Sequence, residues 1–189
     1  MQIVRRSAFR TMPWKNGGGE TTEIAVSPAG AGMESFDWRV SMARVASDGP
    51  FSLFHGIDRS LTVLDGDGLI LCVEGQGEIC LTPMSPPFEF SGDAHTDSRL
   101  LGGPVHDLNV MTRRGAYAAK VERSEGPAAI TLDAQCDTLL FLCRKCDATG
   151  PGVDLAEGDA LVLPPGTPPL TLALGVASKG FVVRIAAVG

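Results

Sequence analysis

The chain consists of many short stretches in which apolar residues either alternate with polar ones or form brief continuous runs. Residues 39–45 and 61–64 alternate, as half-buried strands do, whereas Leu69-Ile-Leu-Cys-Val73 is a continuous apolar run. Residues 78–82 follow a glycine-rich turn in the manner of the return arm of a hairpin. Glycine or proline interrupts nearly every window that is long enough for an amphipathic helix. The pattern therefore predicts an all-β protein with little helix.

Further strands are predicted along the rest of the chain, at residues 21–26, 107–112, 117–121, 137–143, 160–163, 170–174 and 181–185. Their spacing of roughly 8 to 12 residues is typical of a sandwich or a barrel. Ser124-Glu-Gly-Pro127 interrupts the strand pattern, although no long linker divides the chain. We therefore expect two halves, residues 1–120 and 121–189, that form one compact unit in which the N-terminal strand can pair with the second half.

Composition excludes several classes of protein. Of the 189 residues, 44% are hydrophobic and 20% are charged, which argues against disorder, and no apolar run is long enough to span a membrane. The net charge of −6 lacks the basic footprint of a nucleic-acid or anionic-membrane binder. The N-terminus has no apolar signal segment, and five cysteines cannot all pair within one chain. We expect a cytoplasmic protein with mostly buried, free cysteines, which binds neither membranes nor, directly, nucleic acid.

Residues 158–166, Gly-Asp-Ala-Leu-Val-Leu-Pro-Pro-Gly, resemble the second conserved motif of the cupin superfamily. Because a shorter Gly-Asp turn occurs at residues 92–93, the two halves look like two copies of one fold that differ in length. The resemblance implies two cupin-like antiparallel jelly-roll barrels, a bicupin. A metal-binding cupin would place a histidine just after this motif, but Thr167 follows here and the second half contains no histidine. We therefore expect neither a metal nor another cofactor.

Lys15-Asn-Gly-Gly-Gly19 is the most unusual local sequence. Three consecutive glycines cost backbone entropy, and they are tolerated where φ is positive or where a ligand approaches the main chain closely. A nucleotide-binding P-loop would need its lysine after the glycines and a helix beyond them, whereas a strand is predicted here. Two interpretations stay open. One is a tight turn with Lys15 in solvent, and the other is an anion site formed by Lys15, Asn16 and glycine N–H groups.

Alternation over two predicted strands places polar side chains on shared faces. It puts Arg39 and Ser41 together, where a half-buried guanidinium would suit a ligand carboxylate. It also groups Asp107, Asn109 and Arg113. Inside a barrel, such groups would need a ligand or one another as hydrogen-bond partners. The alternative for Arg39 is a surface position where it pairs with an acid.

The segment from residue 48 to residue 59 combines apolar side chains with a few polar ones, as the wall of a ligand pocket does. Phe54, His55 and Arg59 are its main candidates, although Arg59 could instead form a local ion pair with Asp58. A serine–histidine–aspartate triad could be drawn from this one segment, but the glycine-flanked serine of a nucleophile elbow is missing. We therefore expect no catalytic residue here.

Four strings occur in order along the chain: Met12-Pro-Trp-Lys-Asn-Gly-Gly-Gly-Glu-Thr21, Phe36-Asp-Trp-Arg-Val-Ser41, Asp48-Gly-Pro-Phe-Ser-Leu-Phe-His-Gly-Ile-Asp-Arg59 and Gly103-Pro-Val-His-Asp-Leu-Asn-Val-Met-Thr-Arg113. Together they resemble the HutD/Ves family. The resemblance implies a bicupin without the usual metal ligands. For the HutD branch it implies an association with histidine utilisation, in which the protein binds an intermediate of the formylglutamate or urocanate kind and limits the pathway. The Ves branch is linked to cold and stress responses.

The leading hypothesis is non-catalytic binding of a small anionic carboxylate metabolite of histidine utilisation by a regulator of that pathway. The predicted ligand-binding residues supply positive charge, directional hydrogen bonds and an apolar wall: Lys15, Asn16, Arg39, Ser41, Phe54, His55, Arg59, Asn109 and Arg113. One alternative is a metal-independent enzyme that uses Lys15 or His55 as its acid–base group. Another is a stress-related protein-interaction module. An exposed strand edge could also support a homodimer.

Overall fold

Antiparallel strands form nearly all of the regular structure in the computed structural model, which describes residues 1–14, 17–144 and 147–189. A single 3₁₀ turn, Arg6–Ala8, is the one helical element within these ranges, and it is far too short to cross a membrane. In chain order the strands are β1 (Gln2–Val4), β2 (Arg10–Pro13), β3 (Gly19–Ser27), β4 (Trp38–Val45), β5 (Gly49–Pro50), β6 (Ile57–Asp65), β7 (Leu69–Val73), β8 (Gly77–Leu81), β9 (Phe88–Ser91), β10 (Thr96–Leu100), β11 (Val105–Arg113), β12 (Tyr117–Glu125), β13 (Ala128–Leu132), β14 (Thr138–Cys143), β15 (Ala148–Gly150), β16 (Val153–Leu155), β17 (Ala160–Leu163), β18 (Leu170–Leu174) and β19 (Lys179–Ala187). The prediction of an all-β protein with little helix is confirmed.

The chain divides into two units, each with a pair of sheets. The first unit is Arg10–Tyr117, and the second unit combines Met1–Phe9 with Ala118–Gly189. The N-terminal segment belongs to the second unit because β1 pairs antiparallel with β17.

The first unit contains a six-stranded sheet in the order β2-β3-β4-β11-β6-β9 and a four-stranded sheet in the order β5-β10-β7-β8. Its main apolar cluster comprises Val45, Leu61, Val63, Leu69, Leu71, Val73, Leu81, Phe90 and Val105. Leu61 and Val63 alternate with Ser60 and Thr62 on β6, so they share their face of the strand with Arg59. One end of this inner face is therefore apolar, and the other end carries polar groups.

The second unit contains a five-stranded sheet in the order β1-β17-β14-β19-β12 and a four-stranded sheet in the order β13-β18-β15-β16. β14 is buried from Leu139 to Cys143, and its alternate residues Leu139, Phe141 and Cys143 join the apolar core. Burial on both faces explains why this strand has a continuous apolar sequence rather than an alternating one. The core of this unit is accordingly filled by aliphatic and aromatic side chains.

The cysteines that the structure describes fall into three environments. Cys143 is fully buried and disulfide-bonded, Cys136 is a partly buried free thiol, and Cys72 and Cys80 are exposed free thiols. The expectation of mostly buried, free cysteines is therefore wrong for three of these four positions. Cys146 lies outside the described residues.

Candidate ligand-binding cavity

A cavity of about 560 Å³ lies within the first unit. Side chains of the neighbouring strands β4, β11 and β6 line it, together with residues of β2, β10 and the segment 47–54. Pockets for small molecules typically measure about 300–1,000 Å³, with mostly apolar walls and a few placed polar groups. The cavity therefore has the size of a small-molecule site.

The register of three strands explains which polar side chains meet in the cavity. β11 lies between β4 and β6, and Met111 of β11 is opposite Arg39 on one side and Arg59 on the other. Alternate residues of a strand point to the same face, so Asn109 and Asp107 follow Met111 along the cavity. The sheet thus brings two arginines, an amide and a carboxylate to one surface.

Arg39 is held by one acid and keeps part of its guanidinium free. Its side chain is only 3% exposed, and Nε donates a 2.8 Å hydrogen bond to Oε2 of Glu23 on β3. The buried Nη2 has no hydrogen-bond partner among the residues that the structure describes. The alternative of a surface position is therefore wrong, although Arg39 does pair with an acid. Because an unpaired buried donor is costly, this nitrogen is available to a ligand.

Arg59 lies among aromatic rings. Its guanidinium carbon is 5.0 Å from the ring centre of Phe51, 5.7 Å from that of Phe54 and 4.9 Å from that of Phe90. Nη1 donates to the carbonyl oxygen of Ser52 at 3.3 Å, while the buried Nε has no partner in the described part of the chain. Burial lowers the pKa of Arg59 to about 10, against the opposing effect of Asp107. Arg59 therefore remains a cation at neutral pH, stabilised by the rings.

Asp107 is the least satisfied group in the cavity. The residue is 1% exposed, and within the described ranges neither carboxylate oxygen accepts a hydrogen bond. Burial raises the pKa of Asp107 to about 7, and the positive charge of Arg59 opposes this rise. A carboxyl group with these properties exchanges its proton near neutral pH.

Ser41 and Asn109 add smaller polar groups between the charged ones. The Ser41 hydroxyl donates a long, 3.5 Å hydrogen bond to the backbone carbonyl of Asn109, its neighbour across the strand pair. The side-chain Oδ1 of Asn109 is buried and has no partner among the described residues. Both residues line the cavity, so they can provide directional hydrogen bonds to a bound molecule.

The local backbone structure explains glycines in the segment before β3. A Cβ at Gly19 would collide with the backbone carbonyl oxygen of Arg44, and Gly17 has a φ of +71°. Close approach of another strand and a left-handed backbone therefore account for two of the three glycines. Gly18 lines the cavity, so the segment does reach its wall.

The structure brings five of the nine predicted ligand-binding residues to the cavity: Arg39, Ser41, Phe54, Arg59 and Asn109. Lys15 and Asn16 lie outside the described residues. His55 and Arg113 are described but do not line the cavity.

His55 and Arg113 take part in surface contacts instead. The His55 side chain is 85% exposed, and its Nδ1 is 3.1 Å from Oδ1 of Asp93. Arg113 donates a 2.6 Å hydrogen bond from Nη2 to the carbonyl oxygen of Phe36, and its Nε is 3.7 Å from Oδ1 of Asp37. His55 directly follows the cavity-lining Phe54, and Arg113 lies two residues beyond the cavity-lining Met111 at the end of β11, but neither side chain lines the cavity.

Sequence reasoning did not select three important residues of this surface. Asp107 was grouped with Asn109 by alternation but was not chosen as a ligand-binding residue. Phe90 and Glu23 come from β9 and β3, and they meet the two arginines only through strand pairing. Alternation could have indicated Asp107, whereas the other two contacts required the strand order.

The described residues contain no group of three or more histidine, cysteine, aspartate or glutamate side chains arranged to hold a metal ion. The polar groups of the cavity are guanidinium, amide, hydroxyl and a lone carboxyl. Such groups suit the binding of an organic molecule through hydrogen bonds and charge.

Comparison with known proteins gives consistent matches. The HutD family model matches residues 6–183. An uncharacterised 21.2 kDa protein from the hutC 3′ region of Pseudomonas putida is 39% identical over 141 residues, which cover 75% of this chain and 73% of that protein. Protein Ves of Citrobacter koseri is 42% identical over 118 residues, 60% of each chain. The similarity therefore extends to both branches of the family.

Solved structures agree with the sequence matches. The structure of HutD from Pseudomonas fluorescens SBW25, in a formate condition, has a TM-score of 0.83, with 31% identity over 100% of this chain and 99% of that one. A putative glyoxylate-induced protein from Pseudomonas aeruginosa is only 11% identical but has a TM-score of 0.66 over 98% of this chain and 88% of that one. The second likeness concerns the fold alone, and it confirms the cupin-like prediction.

Proposed function

Because this chain belongs to the HutD family, we propose that the cavity of its first unit binds a small carboxylate metabolite of histidine utilisation without transforming it. The ligand is of the formylglutamate or urocanate type, and its binding regulates the pathway. Family membership and the relative from the hutC 3′ region support a role related to histidine utilisation. The chemistry of the cavity supports an anionic ligand, whereas the type of ligand and the regulatory role are what the family resemblance implies.

The observation that carries this proposal is a pair of buried arginines with unused N–H groups. Nη2 of Arg39 and Nε of Arg59 line one cavity and have no partner among the described residues. Hydrogen bonds from a guanidinium to a carboxylate are about twice as strong as neutral ones. A ligand carboxylate would therefore satisfy donors that the protein itself leaves unpaired.

The remaining walls suit the carbon skeleton of a small metabolite. Phe51 and Phe54 face the same cavity as Met111 and Trp14, and the aromatic rings exclude water from around Arg59. Exclusion of water lowers the local dielectric and strengthens each charge-assisted hydrogen bond. This combination favours a compact ligand whose carboxylate contacts the arginines while its carbon chain or ring contacts the apolar walls.

The first experiment is thermal denaturation with N-formylglutamate, N-formiminoglutamate, urocanate, histidine and glutamate, each with and without EDTA. A ligand present at 100 times its Kd stabilises a protein by about 2.7 kcal/mol, which raises the Tm by several degrees. We expect a shift with at least one of the first three compounds, unchanged by EDTA. The absence of any shift, or a shift that EDTA abolishes, would contradict the proposal.

A matched pair of variants tests whether the cavity is the binding site. Arg59→Met keeps an apolar stem among the rings but removes the guanidinium, so the ligand-induced shift should disappear. Arg113→Gln removes a guanidinium that lies outside the cavity, and its shift should equal that of the wild type. Equal shifts in both variants would exclude the cavity as the site.

Two further measurements separate this proposal from its alternatives. The NMR spectrum of the stabilising ligand should stay unchanged over hours with the protein, whereas conversion of the ligand would favour a metal-independent enzyme. His55 is mostly exposed and lies outside the cavity, so the enzyme hypothesis loses one of its two acid–base candidates at this site. A protein-interaction module would show no small-ligand shift and would retain a partner in pull-down experiments.

A further inference from the structure

The cavity contains unused hydrogen-bond acceptors as well as unused donors. Both carboxylate oxygens of Asp107 and Oδ1 of Asn109 are buried without a partner among the described residues, as are Nη2 of Arg39 and Nε of Arg59. A ligand that offers only carboxylate oxygens can satisfy the two donors. It would leave the three acceptor atoms unpaired, and a buried unpaired acceptor is costly.

The charges around the cavity also favour a ligand that carries a hydrogen-bond donor. Arg39 of β4 is already paired with Glu23 of β3, while the positive charge of Arg59 on β6 acts on Asp107 of β11. Asp48 also lines the cavity and accepts a 2.7 Å hydrogen bond from the backbone N–H of Leu100. The two arginines are thus opposed by three acids, so a ligand that brought only negative charge would meet repulsion from Asp107.

We infer that Asp107 selects ligands that carry an N–H donor in addition to their carboxylate, and that it accepts a hydrogen bond from this nitrogen. The inference rests on the proposed function and narrows it to N-acylated or N-formiminated amino acids and imidazole carboxylates. Strand geometry supports a two-ended ligand, because Asp107 is four residues along β11 from Met111, the residue that lies between the two arginines. The carboxylate lies at the arginine end and the N–H group at the Asp107 end.

The protonation of Asp107 makes this selection measurable. Burial raises its pKa to about 7, so a neutral solution contains both the protonated and the ionised form. The carboxylates of any ligand of this class bring negative charge, which favours the protonated form of Asp107. An N–H donor favours the ionised form, so a nitrogen-bearing ligand releases more protons on binding than a ligand of equal charge without the nitrogen.

The test compares N-formylglutamate with glutarate, the same dicarboxylate without the formamido group. Isothermal titration calorimetry at pH 7, in two buffers of different ionisation enthalpy, gives both the affinity and the number of protons exchanged. We expect the wild type to bind N-formylglutamate at least about tenfold more tightly than glutarate, with more protons released. Equal affinity and equal proton exchange for the two probes would overturn the inference but leave the proposed function intact.

The variant Asp107→Asn has nearly the same shape and no charge at position 107. Its preference for N-formylglutamate should fall to less than about threefold and its proton exchange should vanish, while glutarate should bind as tightly as before or more tightly. Asp97→Asn removes the charge of an exposed aspartate on β10 that does not line the cavity, so this matched control should keep the wild-type preference. An unchanged preference in Asp107→Asn would overturn the inference. If the wild type binds neither probe, nor any ligand of the thermal panel, the proposed function fails as well.

Discussion

The inner faces of the central strands are built from different residues in the two units. In the second unit, β14 contributes Leu139, Phe141 and Cys143 to a core filled by apolar side chains. In the first unit, the corresponding surface of the six-stranded sheet presents Arg39 and Arg59 to a cavity of about 560 Å³, along with other polar groups. The same kind of sheet pair therefore supports a filled core in one unit and a polar cavity in the other. This contrast between a filled core and a polar cavity supports the proposal that a ligand binds in the first unit.

Two buried aspartates, one in each unit, differ in the same way in their hydrogen bonds and pKa values. Asp159 of the second unit accepts hydrogen bonds from the Arg5 guanidinium at 2.6 Å, from the Arg6 N–H at 2.9 Å and from the Ala156 N–H at 3.1 Å. Burial alone would raise the pKa of Asp159, but these hydrogen bonds outweigh it and lower the pKa. Asp107 has no such bonds within the described chain, and its pKa rises to about 7. One carboxylate accepts hydrogen bonds within the protein, and the other accepts none from the described residues.

The largest expected effect is on the filled core. Phe141→Ala removes a fully buried ring from the second unit and should lower the free energy of unfolding by about 3–5 kcal/mol. Ser41→Ala in the cavity of the first unit should cost less than about 1 kcal/mol, because the serine hydroxyl makes only a long hydrogen bond. Chemical denaturation monitored by circular dichroism measures both values. Similar losses of unfolding free energy in the two variants would contradict this contrast between the filled core and the cavity.

Identical substitutions of the two aspartates should have opposite effects on stability. Asp159→Asn removes the charge that three donors surround and should cost about 1–3 kcal/mol at pH 7. The wild-type contribution of Asp159 is present above the ordinary pKa of an aspartate and is lost as the pH falls through its lowered value, so this cost should shrink in acid. Asp107→Asn should instead stabilise the ligand-free protein at neutral pH. Denaturation of both variants at pH 7 and pH 3 provides the comparison.

The pH dependence of Asp107→Asn gives the next effect in size. The folded protein holds the Asp107 proton up to a pKa of about 7, whereas an unfolded chain loses it near the ordinary aspartate pKa of 3.8, so wild-type stability falls as the pH rises between these values. Asparagine does not titrate, so the stability of the variant does not fall in this way as the pH rises. Its advantage in Tm over the wild type should therefore grow from pH 4 to pH 7 and then stay constant. A constant advantage across this range would show that folding does not raise the pKa of Asp107.

Much of the fold could be predicted because strands leave a local signal. The predicted strands at 69–73, 160–163 and 170–174 coincide with β7, β17 and β18, since each is a short apolar or alternating run between turns. Short strands such as β5 and β15 were not predicted. They have two or three residues, and pairing with neighbouring strands rather than their own sequence determines them.

The cavity was less predictable, because its residues meet through strand order. Alternation indicated that Arg39 and Ser41 share a face, and they do line the cavity. It could not show that β11 lies between β4 and β6, which places Met111 between two arginines. The sequence segment around Arg59 suggested His55 as a neighbour in the site, but the turn before β6 directs His55 outward. Proximity along the chain was therefore a weaker guide than register across the sheet.

Substitution of His55 has the smallest expected effect, and it tests how far the binding site extends. Its ring is 85% exposed and contacts Asp93, whose lowered pKa comes first from hydrogen bonding to Arg114 and then from Gly56, with His55 a weaker contributor. His55→Ala should therefore change the Tm by less than about 2 °C, as most surface substitutions do. It should also leave the ligand-induced shift unchanged, whereas Arg59→Met abolishes it. Thermal denaturation with and without N-formylglutamate measures both effects. A loss of the shift in His55→Ala would show that the binding surface reaches beyond the cavity to His55.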